Sequence, residues 1–274
     1  PPRSTLFPYT TLFRSKELIT VFDFIKKHGI NYYVIGNGTN MLFSDEGFRG
    51  IIIKIGDKFN YIEKYENTVT VGAGTLLSVL SKYLARESLK GFEFASGIPG
   101  FMGGAISMNA GAYGGEMKDV VSKVKCIDKD GKIYCYNNKD MNFSYRHSRI
   151  SDTDLIVLEA QLELEPGNQQ EIYDYIRELN EKRISKQPVN LPSAGSTFKR
   201  PSYGYASKLI EDAGLKGLIY KGAMVSDKHS GFIVNFDNAT CEDVLELMRI
   251  VISTVYDKFG IKLEPEIKIV GAKL

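Results

Sequence analysis

From Lys16 onward the apolar residues keep a helical repeat. Leu18, Val21, Phe22 and Ile25 share one side, Ser15 stands where a cap belongs, and Gly29 ends the run. The pattern then shortens to strand length. NYYVIG reads as a short strand, and GIIIKI as one buried on both faces, because apolar residues follow each other without alternation. NTVTVGAG alternates and runs into glycines, and TLLSVLSKYLARES returns to an amphipathic helical spacing. KVKCIDKDGKIYCY predicts a hairpin with Asp130-Gly131 at its turn. DLIVLEAQLELEPG alternates again and stops at Pro166-Gly167.

The following segment, NQQEIYDYIRELNEKRISKQP, is polar with a thin stripe of Ile172, Tyr175, Ile176 and Leu179. It predicts a surface or connecting helix halted by Pro188, and a domain boundary falls here. Beyond it come a short helix over Tyr205–Ala213 with Gly214 as its stop, a glycine-rich stretch and the strand GFIVNF. Thr240 and Asp243 form a capping box ahead of a helix whose stripe is Val244, Leu247, Met248, Val251 and Val255. KLEPEIKIVG closes the chain as a strand. Strands mixed with few, uneven helices indicate an α+β chain. No Gly-x-Gly-x-x-Gly follows a strand and opens a helix, so a dinucleotide fingerprint of that kind is absent.

Composition narrows the function classes. Apolar residues make up 43% and charged residues 25% of the 274, enough for a normal core. A formal charge of +2, with Lys and Arg dispersed, gives no nucleic-acid footprint. The longest aliphatic run, Ile51-Ile52-Ile53, is far short of a membrane span. The cysteines Cys126, Cys135 and Cys241 are too few and scattered for a disulfide framework or a metal site, which fits a reducing cytoplasm. Cys126 and Cys135 flank the hairpin turn and could face each other; two small strand residues is the simpler reading. Residues 1–15, PPRSTLFPYTTLFRS, contain a near-repeat and no helical period, and read as foreign to the rest.

Five stretches carry candidate chemistry. Gly36-Asn37-Gly38 allows positive φ and bare N–H groups, as a phosphate nest requires, with Thr39 and Asn40 adding side-chain donors; a plain turn has the same signature. Residues 97–116 hold seven glycines in twenty residues alongside Ile98, Phe101, Met102, Ile106 and Met108. Glycines and apolar residues together suggest backbone lying flat on a large planar ligand, the alternative being a tightly packed core turn. In FSYRHS, Arg146 can hold a carboxylate by two prongs or serve as a surface ion-pair partner, and His147 can titrate. SAGSTFKRP offers Ser196, Lys199 and Arg200, and Ser196 lies in no Gly-x-Ser-x-Gly elbow. In LEPEIKIVG, Glu264 and Glu266 stand two apart on one strand face.

Taken in order, GNGTN, GIPGFMGGAISMNAGAYGGE, YRHS, PSAGSTFKRP, GAMVSDKHSGFIVN and LEPEIKIVG resemble the UDP-N-acetylenolpyruvoylglucosamine reductase (UDP-N-acetylmuramate dehydrogenase) family, in its shorter second type. The resemblance spans residues 16–274. It implies an FAD-binding vanillyl-alcohol-oxidase/PCMH-type fold of two subdomains, plus a smaller C-terminal α+β substrate domain. On this chain that divides as 1–15 foreign, 16–166 FAD-binding, 167–190 connecting helix, 191–263 substrate-binding, and 264–274 a strand carrying a catalytic Glu. It further implies FAD and NADPH as cofactors, a UDP-N-acetylenolpyruvoylglucosamine substrate, and a role in peptidoglycan synthesis, hence in cell-wall growth, shape and division. The setting is a cytoplasmic monomer or weak homo-oligomer with no nucleic-acid or membrane partner.

By the same resemblance, NADPH delivers a hydride to the flavin, which passes a hydride to C3 of the enolpyruvyl group while Ser196 protonates C2. Arg146 matches the residue that clamps the substrate carboxylate. Glu266 matches the one that positions or polarises it, a neutral form requiring burial to raise its pKa. Gly36, Asn37, Gly38, Thr39 and Asn40 would cradle the FAD pyrophosphate. Gly97, Pro99, Gly100, Gly103, Gly104, Asn109, Ala110 and Gly111 would run past pyrophosphate and isoalloxazine. Lys199, Arg200 and Tyr203 would face the substrate, with Lys216 a weaker match. Family members carry a Thr-x-Phe-x-x-Gly-Gly-x-Ala-like flavin-side strand near the N-terminus, where this chain has YTTLFRS without the glycines. Two other readings compete: a flavin oxidase of the same fold, and a degenerate nucleotide-binding module. The oxidases often attach FAD through His or Cys, and none of His28, His147 and His229 lies in the glycine-rich segments.

Overall fold

The computed structural model describes residues 15–274; the expectation of a foreign segment over 1–15 lies outside them, except that Ser15 opens the first helix. The chain divides into two compact units. One comprises the residues up to Gly38 and Gly50–Glu181, the other Thr39–Arg49 and Lys182–Leu274.

In the first unit, α1 (Ser15–His28) buries Leu18, Phe22 and Ile25 of the stripe its spacing predicts, while the fourth member, Val21, is half-buried against the same core. Tyr32–Ile35 pairs in parallel with Ile51–Lys54, and the connection between them includes the whole of the segment assigned to the second unit. Ile52 and Ile53 are both buried, so this strand is covered on both faces. The main sheet has five strands in the order Ile133–Asn137, Val121–Ile127, Ile156–Glu163, Thr68–Gly72 and Ile62–Tyr65, all antiparallel. The helix α2 (Leu77–Arg86) buries Leu77, Leu80 and Leu84 into the same core.

The hairpin loop is wider than a two-residue turn. Asp128 N–H donates to the Lys132 carbonyl, the Asp128 carboxylate accepts from the N–H groups of Asp130 and Lys132, and Gly131 takes φ +81°. Cys126 pairs with Tyr134 and Cys135 with Lys125, which puts the two thiols on opposite faces, one buried and one exposed. They do not face each other. The glycine-rich stretch contains a helix the sequence reading missed, α3 (Met102–Ser107). Met102, Ala105 and Ile106 are buried at i, i+3 and i+4, a helical stripe that the surrounding glycines disguise.

The helix α4 (Gln169–Lys186) carries the chain across the unit boundary; Ile172 and Leu179 are buried, whereas Tyr175 is exposed. The second unit has a four-stranded antiparallel sheet, ordered Ser193–Ser196, Phe232–Asn235, Ala223–Val225 and Ile219–Tyr220. It also holds the short α5 (Ala206–Asp212) and the long α6 (Cys241–Phe259), which supplies Leu245, Leu247, Met248, Val251 and Val255 to the core. Val244 is only half-buried and Leu245 takes its place. Lys268–Val270 pairs in parallel with Met41–Phe43. The closing strand is shorter than its sequence pattern; ahead of it, Pro265 makes an isolated antiparallel bridge to Phe198. Among the described residues, no helix is long and apolar enough to cross a membrane and no cluster of His, Cys, Asp and Glu could hold a metal.

The capping box at α6 is present: Thr240 Oγ1 accepts from Asp243 N–H, and the Asp243 carboxylate accepts from Thr240 N–H. That Thr240 N–H, more than the nearby Lys221, holds the buried Asp243 carboxyl below its usual range. A carboxyl depressed by folding stabilises fully above its unfolded pKa and loses that contribution as pH falls through the folded value. Asp243→Asn should therefore lower the Tm at neutral pH, with the gap to wild type closing at acidic pH, below about 4. A gap that stays constant across a pH series of thermal melts would contradict the assignment.

Candidate active site

The two glycine stretches singled out in the sequence meet in the first unit. A Cβ on Gly36 would lie 3.7 Å from Phe101, and Asn37 Nδ2 donates to the Pro99 carbonyl at 3.4 Å. Gly38 takes φ +73° and has open space where a side chain would be. Among the described residues, no backbone N–H of Gly36, Asn37 or Gly38 donates to another backbone group. The 97–104 segment is held from beneath by the turn at 72–76. Gly103 N–H donates to Ala73, Met102 N–H to Thr75, and the Gly100 carbonyl accepts from Leu77 N–H. Gly103 packs closely there, since a Cβ would lie 3.0 Å from the Ala73 Cβ, whereas Gly104 faces open space. Ser96 Oγ, just before Gly97, is buried and has no hydrogen-bond partner among the described residues. Bare amides, a cradle without side chains and an orphaned buried hydroxyl suit a phosphate-bearing planar cofactor such as FAD.

The sequence reading gave little weight to the turn at 72–76. Its signal was the Gly-Ala-Gly after an alternating strand, where each glycine admits a neighbouring backbone. The N–H groups of Gly72 and Gly74 donate to the carbonyls of Tyr61 and Phe59 at 3.0 Å each.

Arg146 lies at the tip of a tight turn. Ser144 N–H donates to the His147 carbonyl and His147 N–H to the Ser144 carbonyl, so Tyr145 and Arg146 form the bend. Arg146 has φ +54°, a left-handed conformation that for a non-glycine costs on the order of 1 kcal/mol or more unless surroundings hold it. Its guanidinium donates to the Gly111 carbonyl at 3.3 Å and stands over the Tyr145 ring. His147 bonds Asp152 at 2.8 Å and the Asn142 carbonyl at 3.3 Å, which is a structural role. The side chain of Asn109 is fully buried and bonded within the protein, and the N–H groups of Asn109 and of buried Ala110 donate to the Ile106 and Ala105 carbonyls.

The second unit brings Ser196 and Glu266 onto neighbouring segments. Ser196 follows Gly195 (φ +83°) in an irregular pairing with Phe232–Asn235, an irregularity of the kind that re-aims a side chain. The next residue pins the segment: Thr197 N–H donates to Gly231, and buried Thr197 Oγ1 accepts from Ile233 N–H. Ser196 itself is half-buried. Across from it, Glu266 N–H donates to the Thr197 carbonyl at 2.8 Å, and Lys199 N–H to the Glu264 carbonyl at 2.8 Å. Asn40 ties in from the other side, donating through Nδ2 to the Glu266 carbonyl at 3.2 Å while its own carbonyl accepts from Lys268 N–H. Asn40 thus holds the segment that carries Glu266, just ahead of the closing strand, a contact the sequence reading did not anticipate.

Lys199 is ion-paired with Glu264 at 3.3 Å, and Lys216 with Glu211 at 3.0 Å. Arg200 stacks 4.2 Å from the Tyr205 ring and donates to the Gly204 carbonyl, and Tyr203 is 77% exposed. Asp45, which the sequence reading passed over, accepts from Cys241 N–H at 2.9 Å and fastens the 39–49 segment to the N-terminus of α6.

Residues 13–135 match the FAD-binding domain model, and residues 187–270 the C-terminal domain model of UDP-N-acetylenolpyruvoylglucosamine reductase. The reductase of that name from Clostridioides difficile is 51% identical over 256 residues, 93% of this chain and 84% of its own length. The one from Caldanaerobacter subterraneus is 51% identical over 258 residues, 94% of this chain and 85% of its own. The crystal structure of the Thermus caldophilus reductase superposes with a TM-score of 0.80 at 35% identity, covering 94% of this chain and 90% of that one. The fold is therefore that of an FAD-binding oxidoreductase with an added α+β domain. The chain belongs to the UDP-N-acetylenolpyruvoylglucosamine reductase family.

Proposed function

We propose that this enzyme uses NADPH to reduce UDP-N-acetylenolpyruvoylglucosamine to UDP-N-acetylmuramate, a step of peptidoglycan synthesis. The observation that carries the reading is the local order around Ser196: a half-buried hydroxyl on a bulged segment, with Glu266 bonded to the next residue's carbonyl. FAD, when bound, would supply the hydride chemistry that links NADPH to C3 of the enolpyruvyl group. The Gly36–Gly38 turn and the 97–104 segment would hold it, the first by bare amides to the pyrophosphate, the second by its side-chain-free surface.

The protein's own residues manage charge and protons. As C3 receives hydride, negative charge builds on C2 and the attached carboxylate. Arg146, a permanent cation on a pre-formed turn, would stabilise that charge by two-pronged bonding. Glu266 would orient the carboxylate. The hydroxyl of Ser196 would deliver the proton to C2; a weak acid suffices because a carbanion-like enolate is a strong base. Arg200, and Lys199 released from Glu264, would meet the substrate diphosphate, with Tyr203 beside them. The product is an anionic nucleotide sugar with one more C–H bond at each former alkene carbon.

The proton source is tested by running the reaction with ordinary NADPH in D2O. Deuterium is expected at C2 of the product, as read by proton NMR, because a serine hydroxyl exchanges with solvent. A product carrying only protium at C2 would contradict the role given to Ser196.

A further inference from the structure

We propose that Asn109 is a positioning residue for Arg146, gripping the turn that carries it, and not a side-chain ligand of the cofactor. This rests on the reading of Arg146 as the residue that holds the substrate carboxylate. Arg146 needs outside support because its φ of +54° is one that a non-glycine residue rarely adopts unaided. One short segment supplies two such holds. Asn109 Nδ2 donates to the Ser144 carbonyl at 3.0 Å, at the base of the turn. Two residues on, the Gly111 carbonyl receives the Arg146 guanidinium at 3.3 Å. Residues 109–111 therefore hold Arg146 at both ends, by the root of its turn and by its head.

That segment is itself fixed. The same Asn109 Nδ2 donates to Glu116 Oε2 at 2.6 Å, and Asn109 Oδ1 accepts from Lys118 N–H at 2.9 Å. Both polar ends of a fully buried amide are thereby used within the protein. Gly111 lies so close to the strand opposite that a Cβ would come within 2.7 Å of the Gly115 carbonyl oxygen, which fixes where the Gly111 carbonyl points. Beyond the turn, Ser148 and Ser151 both donate to the Ser107 carbonyl, at 2.8 and 2.7 Å. The 107–111 and 144–151 segments are thus laced together, with Asn109 supplying the one amide that reaches both Ser144 and Glu116.

The test uses the full-length flavoprotein and a polarity swap. Asn109→Asp keeps the bond from Lys118 but removes both donors and sets a carboxylate against Glu116, so the Tm should fall. Adding Glu116→Gln supplies an amide that can donate to the new aspartate. The double variant should recover most of the Tm but still lack a donor to Ser144. We expect it to hold FAD and bleach with NADPH at the wild-type rate, while KM for the enolpyruvyl sugar rises about tenfold, the worth of one lost hydrogen bond. A wild-type KM and turnover in the folded double variant would reduce Asn109 to a structural residue. A folded double variant with weakened FAD binding would return Asn109 to the cofactor, and either result overturns the proposal. Arg146→Ala runs alongside: an unchanged KM there would remove the Arg146 reading itself, whatever Asn109 does.

Discussion

Ser196→Ala should give a folded, yellow protein that NADPH still bleaches and that the enolpyruvyl sugar no longer restores. The substitution removes one oxygen from a half-buried residue whose neighbours are held by Thr197, so the local structure should survive. Reduction by NADPH needs no proton from Ser196 and should proceed normally. The second half-reaction needs a proton at C2, and losing a general acid costs about 10²–10⁴ in rate. Stopped-flow absorbance separates the two halves. Equal slowing of both would mean that Ser196 matters for architecture and not for the proton; no slowing of the second would remove it from the chemistry.

Gly74→Ala is expected to damage the fold more than any other single methyl group discussed above. A Cβ there would lie 2.0 Å from the Gly56 carbonyl oxygen, well inside contact distance, and the obstacle is backbone, which cannot swing aside. The 56–61 and 72–74 segments would have to part, straining the bonds from Gly72 to Tyr61 and from Gly74 to Phe59. Overpacking of this kind costs about 1–3 kcal/mol and each buried bond left open about 1–3 more. A drop in Tm on the order of 10 °C follows for a chain of this size. FAD content should fall too, because the Ala73 and Thr75 carbonyls support the 97–104 segment. Gly104→Ala serves as the control: it is helical with open space around it, so the apoprotein should melt no lower than wild type. A Gly74→Ala protein with unchanged Tm and flavin content would show that the two segments are not locked as described.

The sequence disclosed elements where burial follows a regular period. The stripe of α1, the doubly buried Ile51–Lys54 strand and the Thr240–Asp243 capping box each have one residue pattern with one physical solution. It hid elements where another constraint dominates. In α3 two of the six residues are glycine, Gly103 packed closely on Ala73, and glycine reads as turn. Met41–Phe43 is too short to show alternation and is a strand only because Lys268–Val270 lies beside it. Asp45 caps a helix that begins almost two hundred residues later, and no local signal reports a partner so distant. Asn40 shows the same limit at the site. Its side chain suggested a donor for a ligand, but it is committed to a protein carbonyl that only the folded chain brings within reach.

The measurement that bears most directly on the enzyme as a flavin-dependent reductase is the anaerobic visible spectrum of the purified protein. Flavin bands are expected that bleach on adding NADPH and return on adding UDP-N-acetylenolpyruvoylglucosamine, with UDP-N-acetylmuramate formed in equal amount. A flavin that NADPH leaves oxidised, or a reduced flavin that only oxygen restores while the enolpyruvyl sugar does nothing, would contradict the account.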